Sequence, residues 1–276
     1  AACSRRTTLV TVAAFGRDES GVMMGSEPDP GFPDPETMRA VLTMATRAPS
    51  VHNSQPWHWR IGSRSIHLLA DASRHLPRTD PDRRDLLLSC GAALHHCVVA
   101  LAAMGWKAKV HRLPDPAAPA HLAAIEVTRQ VPGEVDVMLA GAITHRRTDR
   151  RTYSSWPVPW GDIALMGSRA ARAGVMLRQI DLIPRLTSIV ADSVSQHAAD
   201  ADYLAELSAW SGRYGSVAGV PARNTPGPGP SAPIPARAFA GPALRQPPQT
   251  AASEDSAVIV ALGTETDDEM ARLRAG

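Results

Sequence analysis

Cysteine is scarce in this chain and badly spaced for most of its uses. Cys3, Cys90 and Cys97 are an odd number with no CxxC pair. That excludes a disulfide framework and a zinc site and fits a reducing, cytoplasmic compartment. Charge of one sign in excess is also missing: 29 basic residues against 27 acidic ones leave a net +2. The whole chain therefore has no pull toward nucleic acid or a membrane surface. No apolar run reaches the roughly 18 residues that span a bilayer. A short run from Leu9 to Phe15 follows Arg5-Arg6 in the manner of a signal peptide, but no convincing small-residue cleavage site follows. The plainer reading is an extension ahead of Met23 or Met24. Aromatic residues make up 4% of the chain, although six are Trp. No Gly-x-Gly-x-x-Gly follows a strand pattern, which argues against a Rossmann dinucleotide site. No Ser or Cys has a matching base for acyl transfer. His95-His96-Cys97 looks like a metal cluster, but adjacent helical residues point about 100° apart and cannot share one ion. These three read as packing residues, and no metal or protein catalytic residue is expected.

What is present supports a sizeable core: 44% of 276 residues are hydrophobic. Residues 1–33 read as an unstructured or miscalled extension, Pro/Asp/Gly-rich near their end. Helical periodicity opens at Pro35, with Asp34 as N-cap, and must end near Ala48 because Pro49 disfavours helix before it. Trp57–Ile61 and Ile66–Ala70 alternate as strands around a Gly62-Ser63 turn. Leu86 to Trp106 is the most apolar stretch and reads as a buried helix closed by Gly105. Strands are expected at 107–112, 122–127, 175–180 and 257–262. Helices are expected at 135–143, 163–173, over most of 182–209, and from Met270. Nine of the 24 prolines fall within 219–250, and PGPGPSAPIP within that span cannot form regular structure.

Two segments carry chemistry. The first is Arg47-Ala-Pro-Ser-Val-His-Asn-Ser-Gln-Pro-Trp57, a polar loop between a helix and a Trp-bearing strand, fixed at both ends by Pro49 and Pro56. Asn53 and Gln55 can each donate and accept, which suits the O/N edge of a flavin pyrimidine ring. The residues equally permit a plain capped helix and Asx-turn. The second is His145-Arg-Arg-Thr-Asp-Arg-Arg-Thr-Tyr153, with Trp156-Pro-Val-Pro159 after it. Four arginines in six residues repel one another unless an anion lies nearby, and Arg forks with a Thr hydroxyl suit a phosphate. A solvated loop paired with Asp149 and Asp162 is the alternative.

Ala48, Pro49, Ser50, Asn53, Gln55, Pro56 and Trp57 resemble APSxxNxQPW, the flavin-contacting signature of the nitroreductase family. With Arg47 before them and His58-Trp59 after, they resemble its Acg-type branch, found in mycobacteria and other actinobacteria. The helix GAALHHCVVALAAMGW is similar to that family's core helix. Arg146, Arg147, Thr148, Arg150 and Tyr153 are similar to its RRSxRxF phosphate motif. The resemblance runs from about Pro33 to Gly276.

It implies an α+β, nitroreductase-like fold that binds flavin mononucleotide (FMN) non-covalently. It further implies NAD(P)H as transient reductant and a nitro- or quinone-like small-molecule acceptor, with the flavin carrying the chemistry. Storage of flavin without turnover is the alternative, with the Pro-rich span, and Phe239 within it, as a lid. By position Ser50, Asn53 and Gln55 would contact the ring or ribityl chain, with Arg47 and Pro56 framing the loop. Trp57, His58 and Trp59 would line the pocket. Arg146, Arg147, Thr148 and Arg150 would hold the phosphate.

The two motifs stand in reversed order relative to the family, which suggests two degenerate units fused in one chain, residues 34–143 and 144–276. Such a chain would mimic the family dimer as a monomer, or form a homodimer, and keep one good flavin site. The last helix opens at Met270 with nothing evident to pack on, so the chain reads as stopping short.

Overall fold

A computed structural model describes residues 31–153, 156–180, 183–213, 217–227, 239–246 and 257–276. The signal-like run, Met23 and Met24 lie outside the described residues, as does most of PGPGPSAPIP.

In chain order the elements are α1 (Pro35–Ala45), β1 (Trp57–Ile61), β2 (Ser65–Ala70), α2 (Arg84–Ala103), β3 (Trp106–Arg112), β4 (His121–Arg129), α3 (Glu134–His145), α4 (Trp160–Arg172), β5 (Met176–Gln179), α5 (Ile183–Ala199), α6 (Ala201–Trp210), β6 (Ser211–Arg213), β7 (Val220–Pro221), β8 (Val260–Gly263) and α7 (Glu269–Ala275). The architecture is α+β, as expected. Asp34 caps α1 through Thr37 N at 2.8 Å, with Pro35 at the first helical position. The expected long helix over 182–209 breaks at Asp200, whose carboxylate caps α6 through the amides of Asp202 and Tyr203.

Strands β1-β2-β4-β3 form an antiparallel sheet. One face packs on α1 and α2. Trp57, Trp59, Ile66, Leu68 and Ile125 point into that layer by the two-residue alternation of a strand. Between Leu68 and Leu69 the β2–β4 register slips by one residue. This bulge lets the adjacent Leu122 and Ala123 both turn inward. Along α2, Leu87, Cys90, Leu94, Cys97 and Leu101 recur at helical spacing and are buried. Burial pushes both thiols up to about 12, which leaves them inert.

Two expectations need correction. Helix α2 is long and apolar enough to cross a bilayer by length and composition, because its Ser, Gly and His residues dilute hydropathy too little to matter. In this fold it is the core helix. Second, α7 does have a packing partner. Leu273 is buried in the core formed by α1, α2 and the sheet. The approach is close: a Cβ on Gly91 would sit 2.3 Å from the Leu273 carbonyl oxygen. Glycine at 91 is what lets the two helices touch backbone to backbone.

The start of α2 is held by a residue outside it. Asp80, 4% exposed, accepts from the amides of Asp85 at 2.9 Å and Leu86 at 2.8 Å. It thereby satisfies two donors that a helix N-terminus leaves without partners.

Two smaller sheets involve later elements. β5 pairs antiparallel with β8, and β6 pairs parallel with β7.

Candidate functional site

The loop after α1 is wound tightly. His52, Asn53 and Gln55 have φ of 46°, 55° and 54°, a left-handed conformation that costs non-glycine residues roughly 1–2 kcal/mol each. Surrounding bonds hold it there. Ser50 Oγ accepts from Gln55 N at 2.9 Å, and Ser89 Oγ on α2 accepts from Val51 N at 3.2 Å. Arg74 donates to the Ser54 carbonyl at 3.1 Å, and the Cys90 thiol donates to the Pro56 carbonyl at 3.2 Å. The strain is thus over-determined by contacts to the core helix, a pattern common at binding sites.

The second loop reaches the first from the end of α3. Arg47 donates to the carbonyls of Ile143 at 3.4 Å and Thr144 at 2.9 Å. Arg146 returns the contact, donating to the Arg47 carbonyl at 3.0 Å and to Thr148 Oγ1 at 3.4 Å. Arg147 donates to the carbonyls of Thr144 and Arg146 at 2.9 and 2.7 Å. Arg150 lies over the Phe239 ring at 5.1 Å, and Phe239 meets the His52 ring edge-on at 5.9 Å.

Together these loops wall a cleft of about 2000 Å³. Arg47, Ser50, Asn53, Gln55, Arg146, Arg147, Thr148 and Arg150 all line it. Its charge is one-sided: eight arginines line it against one carboxylate, Asp149, a formal balance of +7. Asp149 is already bound to Arg151, whose hydrogen bonds hold its carboxyl down to about 2. Arg47, Arg146 and Arg147 donate to carbonyls and a hydroxyl but meet no carboxylate among the described residues. Burial, then the charges of Arg47 and Arg147, lowers the pKa of Arg146, so its cation is strained by its surroundings. Its Nε is buried with no partner among the described residues. Behind this pair lies His96 on α2. Burial, then His95, Arg146 and Arg47, pushes its imidazole down to about 4. A bound anion would relieve this cluster.

Four expected site residues lie elsewhere. Trp57 and Trp59 are 8% and 5% exposed and belong to the core. His58, between them, is exposed on the opposite sheet face. The alternation of β1 forces this division, so none of the three lines the cleft. Pro56 is buried and acts through its carbonyl on Cys90. Sequence reasoning missed Arg39, Thr43 and Thr46, which lie along the cleft side of α1, and Arg223 and Arg245. The helical spacing of Arg39, Thr43 and Arg47 carried a signal for the first group. Nothing local marked the other two.

The amides of the first loop are partly engaged. Asn53 Nδ2 donates to the carbonyls of Val217 at 3.3 Å and Gly219 at 3.1 Å, and Gln55 Nε2 donates to Val217 at 2.9 Å. In return Gly219 N donates to the Asn53 carbonyl at 3.1 Å. Residues 217–219 thus form a strap across one side of the cleft. Asn53 Oδ1, Gln55 Oε1 and one Gln55 Nε2 hydrogen have no partner among the described residues, a donor–acceptor set that fits a flavin pyrimidine edge. The unneutralised arginines fit a phosphate. Among the described residues no group of three or more His, Cys, Asp or Glu side chains could hold a metal ion.

No protein-family model matches the sequence. Curated relatives do. "Putative NAD(P)H nitroreductase Rv3131" of Mycobacterium tuberculosis strain H37Rv is 62% identical over 245 residues, covering 89% of this chain and 71% of its own. "Putative NAD(P)H nitroreductase acg" of the same strain is 35% identical over 190 residues, 67% of this chain and 57% of its own. The crystal structure of a nitroreductase family protein from Streptococcus pneumoniae TIGR4 superposes with a TM-score of 0.30 at 17% identity, covering 49% of this chain and 90% of that one. A superposition that loose carries no fold assignment.

Proposed function

The chain belongs to the nitroreductase family, and on that premise we propose that its cleft holds FMN and makes it an NAD(P)H-dependent oxidoreductase acting on a nitro- or quinone-like acceptor. The observation that carries this reading is the meeting of the two loops. Eight arginines line a cleft whose strained loop presents amide oxygens with no partner among the described residues.

Arg47, Arg146 and Arg147 would hold the phosphate, with the Thr148 hydroxyl beside them. Asn53 and Gln55 would orient the pyrimidine edge through the oxygens that the strap leaves free. When bound, the flavin supplies two-electron transfer from a nicotinamide donor to the acceptor. The protein's part is to position, to neutralise the phosphate, and to exclude water along the strap. Its own side chains need hold no catalytic proton. One flavin per chain is expected, because only one loop of the APSxxNxQPW type is present.

The test is an absorbance spectrum of the purified protein before and after NADPH under anaerobic conditions. Flavin bands that bleach support the oxidoreductase. A protein that binds no FMN contradicts the reading.

A second reading, flavin held without turnover, is favoured by the strap. Asn53 and Gln55 tie residues 217–219 over the cleft, which would narrow the approach of NADPH. Flavin bands that persist after NADPH would select it.

A further inference from the structure

The outer face of the four-stranded sheet carries a chain of three polar side chains, none of which lines the cleft. Ser65 and His67 stand two residues apart on β2 and share that face, opposite the buried Ile66 and Leu68. Ser65 Oγ lies 2.8 Å from His67 Nε2, and His67 Nδ1 lies 3.0 Å from His121 Nε2 on β4. Plain alternation along β4 would turn His121 inward with Ala123 and Ile125. The register slip between Leu68 and Leu69 instead turns Leu122 inward and pairs His121 with Leu69, on the outer face beside His67. Re-aiming a side chain is a common use of a bulge, often beside an active site.

With the His67 proton on Nδ1, the Ser65 hydroxyl donates to Nε2 and the Nδ1–H donates to His121, so the chain runs in one direction from serine to base to a third group. Burial, then His121 and Arg60, lowers the pKa of His67, which keeps its imidazole neutral and able to accept a proton at neutral pH. Arg60 stands opposite His67 on β1. Glu126 stands opposite Ser65 on β4 and is already bound to Lys109 and His111. Gly62 leaves the pair open to a small reactant: a Cβ there would sit 3.0 Å from Ser65 Oγ and 3.5 Å from His67 Nε2.

We propose that Ser65 is a nucleophile toward small carboxylic esters, with His67 as its general base and His121 as the positioning residue that fixes the His67 tautomer. Ser65 Oγ forms a bond to the acyl carbon, and the bond from that carbon to the alcohol oxygen breaks. The hydroxyl proton passes to His67 Nε2 and from there to the leaving oxygen. Water, deprotonated by the same imidazole, then releases the carboxylic acid and restores the serine. Arg60 is the cation beside the pair that offsets the charge developing on the acyl oxygen.

The probe is p-nitrophenyl acetate added to the purified chain. Nitrophenol release is followed by absorbance, and acetylated residues are located by peptide mass mapping. Acetyl on Ser65, and not on Ser63 in the adjoining turn, is expected whether or not flavin is bound. Ser65→Ala should lose that label. His67→Gln should slow its formation about a hundredfold, the lower end of general-base catalysis. The rate at Ser65 should fall in acid with a midpoint below the usual 6.5. His121→Ala should lower the plateau and move that midpoint up, because one cause of the low His67 pKa is gone. A merely structural role for His121 would leave the midpoint in place and overturns its part. Labels confined to lysines and the amino terminus overturn the proposal, as does equal labelling of Ser65 in His67→Gln.

Discussion

The Arg146 guanidinium donates to the main-chain carbonyl of Arg47 at 3.0 Å across a separation of 99 residues. This bond joins the end of α1 to the end of α3, and it makes one site out of two loops. Arg146 holds the loops together with one nitrogen while its Nε stays buried, with no partner among the described residues. A phosphate between the loops would convert that cost into a charge-assisted hydrogen bond.

Replacing Arg146 by Ala should therefore weaken FMN binding by about 2 kcal/mol, roughly thirtyfold. Arg146→Lys should recover only part of this, since an ammonium cannot form the fork. Calorimetry at two salt concentrations checks it. The wild-type affinity should fall more steeply with salt than that of Arg146→Ala.

Gln55→Ala removes one bond to the Val217 carbonyl, and Asn53→Ala removes two, to Val217 and Gly219. Each bond is worth about 1 kcal/mol. Amide exchange at residues 217–219 should quicken in both variants, more in Asn53→Ala. Unchanged protection there would show that the strap is held by something else.

Gly91→Ala places a methyl group 2.3 Å from the Leu273 carbonyl oxygen. Helix α7 must then lift from α2 and expose Leu273. A loss of about 2–5 kcal/mol is expected, the range for emptying a buried Leu site. Leu273→Ala should lose a similar amount. Urea denaturation followed by circular dichroism measures both.

Stability should fall in mild acid because of His96. Its folded pKa is about 4, below the usual 6.5, so the folded state refuses a proton that the unfolded state accepts. The contribution is fully present above about pH 6.5 and is lost as the pH drops toward 4. His95, also lowered by burial, adds in the same direction. Urea midpoints between pH 4 and 7.5 should slope less in His96→Gln than in the wild type.

Much of this was legible in the sequence because local rules set it. Proline at 35 and 49, the alternation of Trp57–Ile61 and glycine at 105 mark elements close to where the structure has them. The two motifs likewise name eight residues that meet in the cleft. What the sequence hid is set by distant contacts. The tryptophans beside the first motif read as pocket walls, yet strand alternation gives them to the core. Arg223 and Arg245 reach the cleft from segments with no periodicity. The seat of α7 depends on an absent side chain at Gly91, and no pattern along α2 marks the close approach that it permits.

The central claim is that Arg146, Arg147 and the Asn53–Gln55 loop form one flavin site. Its most direct test is titration of FMN into the purified chain, read by quenching of flavin fluorescence, for the wild type and Arg147→Ala side by side. Saturation at one FMN per chain is expected, with affinity reduced at least tenfold in Arg147→Ala. Two equivalent flavins per chain, or equal affinity in both proteins, would contradict it.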